Sequence, residues 1–124
     1  MSAAKIDGVV ALFGVPTTDG RLIESGALTW HLPIPVMLMG HEPVGVLDEI
    51  EEVDGVLVVH GWVDDDATFG PHAVPVIHLD AVRFESSHDG RESIVGARLR
   101  ALSLCTGDAR AAWQGLSVRK VARA

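Results

Sequence analysis

Residues 44–63 read VGVLDEIEEVDGVLVVHGWV, two β-prone runs that meet at Asp54-Gly55. Asp-Gly is among the strongest short hairpin signals. The tight two-residue turn needs positive φ at both central positions, which Gly meets freely and Asp tolerates. VGVLDEIEEV alternates well enough to be a strand with a partly solvated face, and VLVVHGWV returns beside it. A lone hairpin is marginal in water. The rest of the chain must therefore supply further strands to cover its apolar face.

Such strands can be read on both sides. GVVALFGV (8–15) is a β-rich run bounded by glycines, and TTDGR (17–21) turns on Asp19-Gly20. LIESGALTW (22–30) reads as a strand end followed by a short helical turn. PVMLMG (35–40) is apolar at every position and is expected to be fully buried. DDDATFGPHA (64–73) is a polar loop. VPVIHLDAVRFES (74–86) is a strand, with Pro75 near its start or at an edge. SHDGRES (87–93) is another Asp-Gly turn. In IVGARLRALSLCT (94–106), Val95, Ala97, Leu99, Ala101, Ser103 and Cys105 fall on one side of a strand, with Arg98, Arg100 and Leu102 on the other. GDARAAWQGLSVRKVARA (107–124) opens on Asp108, an acceptable helix N-cap, and its alanines suit a short helix. The expected fold is mainly β: a small β-barrel or sandwich of about six strands with one or two short helices. It forms a single domain over 1–124, with 107–124 as a C-terminal helix or tail.

The chain has 124 residues, of which 48% are apolar, enough for one modest core. Its 10 basic and 17 acidic residues give a net charge of −7. That weighs against nucleic acid or an anionic membrane as the main partner, since phosphate binding needs clustered Lys and Arg. The basic residues that are present gather late, at Arg98, Arg100, Arg110, Arg119, Lys120 and Arg123, as expected of a solvated C-terminal segment. The lone Cys105 cannot form an internal disulfide. No apolar run approaches the roughly 18 residues of a membrane span, and the N-terminus makes a poor signal peptide, so a soluble intracellular protein is expected.

Six histidines, at 31, 41, 60, 72, 78 and 88, raise the question of metal binding. They are scattered, without the close spacing of zinc sites. His78 and Asp80 share one face of a strand and are the best pair of ligands. The run Asp64-Asp65-Asp66 lacks the spaced pattern of a calcium loop and reads as a solvated turn. No cofactor or metal is expected. Of the hydroxyls and thiol that a nucleophilic mechanism would need, Ser103 stands out, because it lies on an apolar strand.

Residues 8–63 resemble the first half of the tailed-phage prohead (capsid maturation) serine proteases. The likeness rests on GVVALFGV, ESGALTW, and the stretch VMLMGHEPVGVLDEIEEVDGVLVVHGWV. In that stretch a strand ends in a His-acid pair followed by Gly, and a hairpin follows. The resemblance implies a small β-barrel related to the herpesvirus assembly proteases, and places His41 at the catalytic histidine. The other catalytic positions do not match. The family serine falls near Val76 or Ile77, and Ala101 stands in the acid's place. His41 alone cannot form an acyl-enzyme. The resemblance therefore leaves enzymatic activity uncertain and weighs against it. It implies a phage capsid structural protein, either a minor capsid or a decoration protein. Such a protein would bind the major capsid protein, and copies of itself, in a virion assembled in the host cytoplasm.

Two alternatives remain. One is an active serine endopeptidase with His41 as base, Ser103 as nucleophile, and Glu42, Asp80 or Glu85 as third member. The other is a small metal- or ligand-binding barrel using His78 and Asp80. In the capsid reading, contacts would come from the N-terminal segment, the 64–73 loop and the C-terminal tail, with Trp30, Trp62 and Trp113 as possible anchors and Trp62 expected in the core. Residues 115–124 would then matter more for attachment than for stability.

Overall fold

A computed structural model describes residues 3–39, 42–64, 66–67, 73–86, 90, 92–105, 112–113 and 115–121. Among these residues the chain is all strand and turn: β1 (Ala3–Leu12), β2 (Leu22–Ile23), β3 (Leu28–Trp30), β4 (Ile34–Leu38), β5 (Glu42–Val53), β6 (Val56–Asp64), β7 (Val74–Ser86), β8 (Glu92–Cys105) and β9 (Val118–Lys120). The mainly β expectation holds. The short helices do not appear among the described residues. The segment 24–27 is a turn between β2 and β3, with Gly26 at φ 77°. Of the expected C-terminal helix, residues 106–111 and 114 lie outside the described residues, and 118–120 are strand.

The strands form one sheet. β5, β6, β1 and β9 follow one another by antiparallel pairing, and β4 joins β5 to β8. β8 carries β7 along one edge and β2, β3 and β4, all parallel to it, along the other. The sheet is not closed, so the expected barrel is not formed as a continuous ladder. Its two ends approach at a single bridge, where the N–H of Ala73 donates to the carbonyl of Val118 at 2.8 Å and the reverse bond is also 2.8 Å. β9 is only three residues long, and among the described residues no strand pairs with β7 on that side.

Curvature comes from glycine. Gly45 and Gly61 lie in the β5–β6 ladder, opposite Val63 and Leu47. A Cβ on Gly45 would stand 1.9 Å from the carbonyl oxygen of Trp62, and one on Gly61 would stand 2.2 Å from that of Val46. No side chain fits there, so the two strands bend sharply around these points. The bend wraps the sheet about a core that includes Ile6, Val10, Val36, Leu47, Leu57, Val59, Leu99, Leu102, Leu104 and Val118. At the hairpin tip Asp54 and Gly55 have φ of 50° and 81°, as the tight turn requires.

Two burial expectations are corrected. Trp62 is 43% exposed rather than core. Leu57, Val59, Gly61 and Val63 take the inward positions of β6, so period two sends Trp62 outward, where its Nε1 donates to Asp48 at 3.1 Å. β4 is not buried on both faces either. Val36 faces the core, whereas Pro35 is exposed and Met37 half-buried. Trp113 is buried, its Nε1 donating to the carbonyl of Val15 at 2.9 Å.

The tail is part of the sheet. Val118 is fully buried, Arg119 pairs with Asp7 at 3.2 Å, and the Lys120 ammonium donates to the carbonyl of Ala67 at 2.8 Å. Removal of residues 115–124 therefore exposes the core beneath β9, so the segment carries stability whatever it contributes to attachment. We expect the truncated chain to lose about 3 kcal/mol or more of unfolding free energy, from the burial of Val118 and the lost strand bonds. Chemical denaturation checks this. Gly61→Ala is expected to cost about 1–3 kcal/mol in the same measurement, by overpacking against the β5 backbone.

Candidate functional site around Ser103 and His78

The β7–β8 ladder decides where the chemically interesting side chains meet. Val76 stands opposite Ser103, and His78 opposite Ala101. The next pair is Leu79 with Leu99, so Arg100 is an extra residue on β8, a bulge. The bulge exchanges the faces of the strand. Leu99, Leu102 and Leu104 all reach the core, although an unbroken alternation would separate Leu99 from the other two. Ala101, Ser103 and Cys105 lie on the opposite, outer face.

On that face His78 Nε2 and Ser103 Oγ are 2.6 Å apart, a hydrogen bond whose donor depends on the imidazole tautomer. Ser103 is 1% exposed despite lying on the outer side. Its neighbours in the ladders are Val76 on β7 and Met37 on β4. His78 also lines an open cleft of 470 Å³ with Pro35, Met37, Ile77, Leu79, Arg100 and Ala101. Cys105 follows Ser103 on the same strip, and burial pushes its thiol above the ordinary range, which disfavours the thiolate.

A base within reach of a hydroxyl is half of a nucleophilic site; the other half is an orienting group and access for substrate. Among the described residues no carboxylate bonds to the imidazole, and Ser103 itself is 1% exposed. Ala101 faces His78 across the ladder. Both carboxylate oxygens of Asp80 are taken by Arg98, at 2.9 and 2.6 Å. Glu85 pairs with Ser93 toward the far end of β7, and Glu42 begins β5 opposite Leu38. None of the three carboxylates expected as a third member bonds to His78 among the described residues. His41 lies outside the described residues, as do His72 and His88. Of the positions that the resemblance assigns to the serine, Val76 stands opposite Ser103 and Ile77 opposite Leu102, while Ala101, in the acid's place, stands opposite His78.

The metal reading of His78 and Asp80 is answered by their partners. They share the outer face of β7, but one bonds to Ser103 and the other is clasped by Arg98. No group of three or more His, Cys, Asp or Glu residues among those described is placed to hold a metal ion. Asp65 lies outside the described residues, so the 64–66 run carries no structural reading.

The sequence reading treated His78 and Ser103 separately and missed their pairing. No local signal gives the pairing, because the β7–β8 register shifts three times between Phe84 and His78. Comparison of the chain with protein-family models, curated proteins and solved structures finds no match.

Two outcomes are expected. Ser103→Ala removes one hydrogen bond and should cost about 1 kcal/mol in denaturation, without the larger loss of a collapsed core. The Asp80–Arg98 pair should show itself in acid. The Arg98 guanidinium holds the Asp80 carboxyl below its usual value of 3.8. A depressed folded-state pKa contributes stability above the unfolded value, lost as pH falls through the folded one. Asp80→Asn should therefore lower stability at neutral pH and flatten its fall below pH 3.8, as read from unfolding curves across that range.

Proposed function

We propose that the chain is a binding protein of a phage capsid, a minor capsid or decoration protein seated on the major capsid protein, and not a working protease. The observation that carries this reading is the state of Ser103. Its hydroxyl is covered and bonded to His78, and among the described residues no carboxylate bonds to the imidazole. An acyl-enzyme would require that hydroxyl to meet a peptide carbonyl. Loss of one triad member typically costs a factor of about 10⁴ or more.

A surface suited to binding supports the reading. Pro35, Val46 and Trp62 are neighbours across β4, β5 and β6, all on the outer face, and Lys5 of β1 completes the row. Val46 is 39% and Trp62 43% exposed. An exposed Trp with an apolar neighbour is a common form of interface anchor. The net charge of −7 suits an outer shell away from packaged DNA. The capsid partner itself, the virion location and assembly in the host cytoplasm rest on the resemblance to prohead proteases.

The second reading, an active serine endopeptidase, is favoured by one observation, the 2.6 Å contact of His78 with Ser103. In that case His78 would be a base in contact with the nucleophile, and His41 lies outside the described residues.

The experiment that separates them counts this protein in purified mature particles against the major capsid protein. A fixed stoichiometric ratio is expected. Absence from mature particles, together with cleavage of capsid precursor that Ser103→Ala abolishes, would establish the protease. Trp62→Ala should weaken attachment about tenfold or more while changing unfolding free energy by less than about 1 kcal/mol. Unchanged occupancy of the particles would remove Trp62 as an anchor.

A further inference from the structure

A second cleft, of 540 Å³, lies farther along β8 and is independent of the capsid reading. Its floor is Gly96, with Val95, Ala97 and Arg98 beside it. One wall is β7, through Asp80, Ala81 and Arg83. Thr29 of β3 stands on the other side.

Arg83 is opposite Gly96 in the ladder. A Cβ on Gly96 would stand 2.5 Å from Nη2 of Arg83 and 2.7 Å from its Nε, so only glycine leaves room for the guanidinium to rest on the strand. The approach to this pair is irregular. The register shifts between Asp80 and Arg83, and Ala81 takes a φ of 51°, a conformation that an L side chain rarely adopts. Backbone of this kind is often kept where it places a functional group.

The two arginines of the cleft differ in one respect. Asp80 fills the fork of Arg98 with two bonds. Arg83 has no hydrogen-bond or ion-pair partner among the described residues, in a chain with 17 acids and 10 bases. A guanidinium is a planar fork that matches a carboxylate with two parallel bonds. Seating it on Gly96 holds part of its freedom in advance, which lowers the entropic cost of binding.

The surroundings narrow the ligand. A smaller cleft adjoins at Val95 and is lined by Glu24, Glu85, Ser86 and Ser93. Two carboxylates at that end repel a polyanion, so nucleic acid and polyphosphate are disfavoured. A ligand with one carboxylate on Arg83 and a neutral or cationic body toward Glu24 and Glu85 meets both ends. We propose that Arg83, seated on Gly96, is a binding site for a single carboxylate group, carried by a small organic acid or by the end of a peptide.

The test is a titration of the full-length, isotope-labelled protein, followed by NMR at the Gly96 amide and the Arg83 Nε–H. The probes are acetate, a short peptide with a free C-terminal carboxylate and a lysine, the same peptide amidated, and inorganic phosphate. Saturable shifts at Gly96 and Arg83 are expected with acetate and with the free-acid peptide. Equal affinities for those two assign the site to small acids, and tighter peptide binding assigns it to peptide ends. The amidated peptide should bind at least tenfold more weakly. Arg83→Gln, at an exposed position that leaves folding intact, should weaken acid binding tenfold or more, and Arg83→Lys should fall between. Gly96→Ala should weaken binding too, provided its spectrum stays folded; Arg83→Gln carries the test if it does not. The proposal is overturned if neither acid gives saturable shifts, if amidation or Arg83→Gln changes nothing, or if phosphate binds more tightly than acetate.

Discussion

β8 hydrogen-bonds to β7 along one edge and to β2, β3 and β4 along the other, so the register of this one strand fixes the placement of four others. Its faces are set by the extra residue at Arg100. Beyond that point Leu102 and Leu104 join Leu99 in the core, and Ser103 turns away from it. Without the bulge the two leucines would face out and a serine would point among apolar side chains, where an unpaired hydroxyl is costly. With it, Ser103 lies beside His78 and its hydroxyl is satisfied by one short bond. The same bulge that completes the core thus creates the imidazole–hydroxyl pair of His78 and Ser103.

That arrangement separates two properties that a protease must combine. The hydroxyl has a base in reach, but it is covered, and among the described residues no carboxylate bonds to the imidazole. Asp80, the nearest acid along β7, is committed to Arg98. The outer face offers other things: an exposed row of Pro35, Val46 and Trp62, and a guanidinium resting on Gly96. The proposed binding role is built on these features.

Much of the sheet could be read from local signals. The β5–β6 hairpin follows from Asp54-Gly55, whose turn needs nothing beyond its own two residues. The bounds of β6, β7 and β8 follow from apolar runs between turns. Other features depend on partners far along the chain. The parallel pairing of β2, β3 and β4 with β8 leaves no local mark, and neither does the bulge at Arg100, which sits in an apparently regular alternation. Trp62 lies on a hairpin strand, but period two places it outward, since Leu57, Val59 and Val63 take the inward positions. A three-residue strand such as β9 has no pattern of its own; only the partners of Val118, on β1 and at Ala73, show that it belongs to the sheet. Ser103 and His78 were each singled out, but their contact needed the register.

The central claim is that Ser103 is sealed and unactivated in the folded protein. Its most direct measurement is the reaction of the native protein with a fluorophosphonate at pH 8, read by intact mass. The account predicts no adduct at Ser103 over hours, with the fold verified as intact in the same sample. A stoichiometric adduct on Ser103 of the native protein, lost in His78→Ala, would contradict it and show a working serine nucleophile.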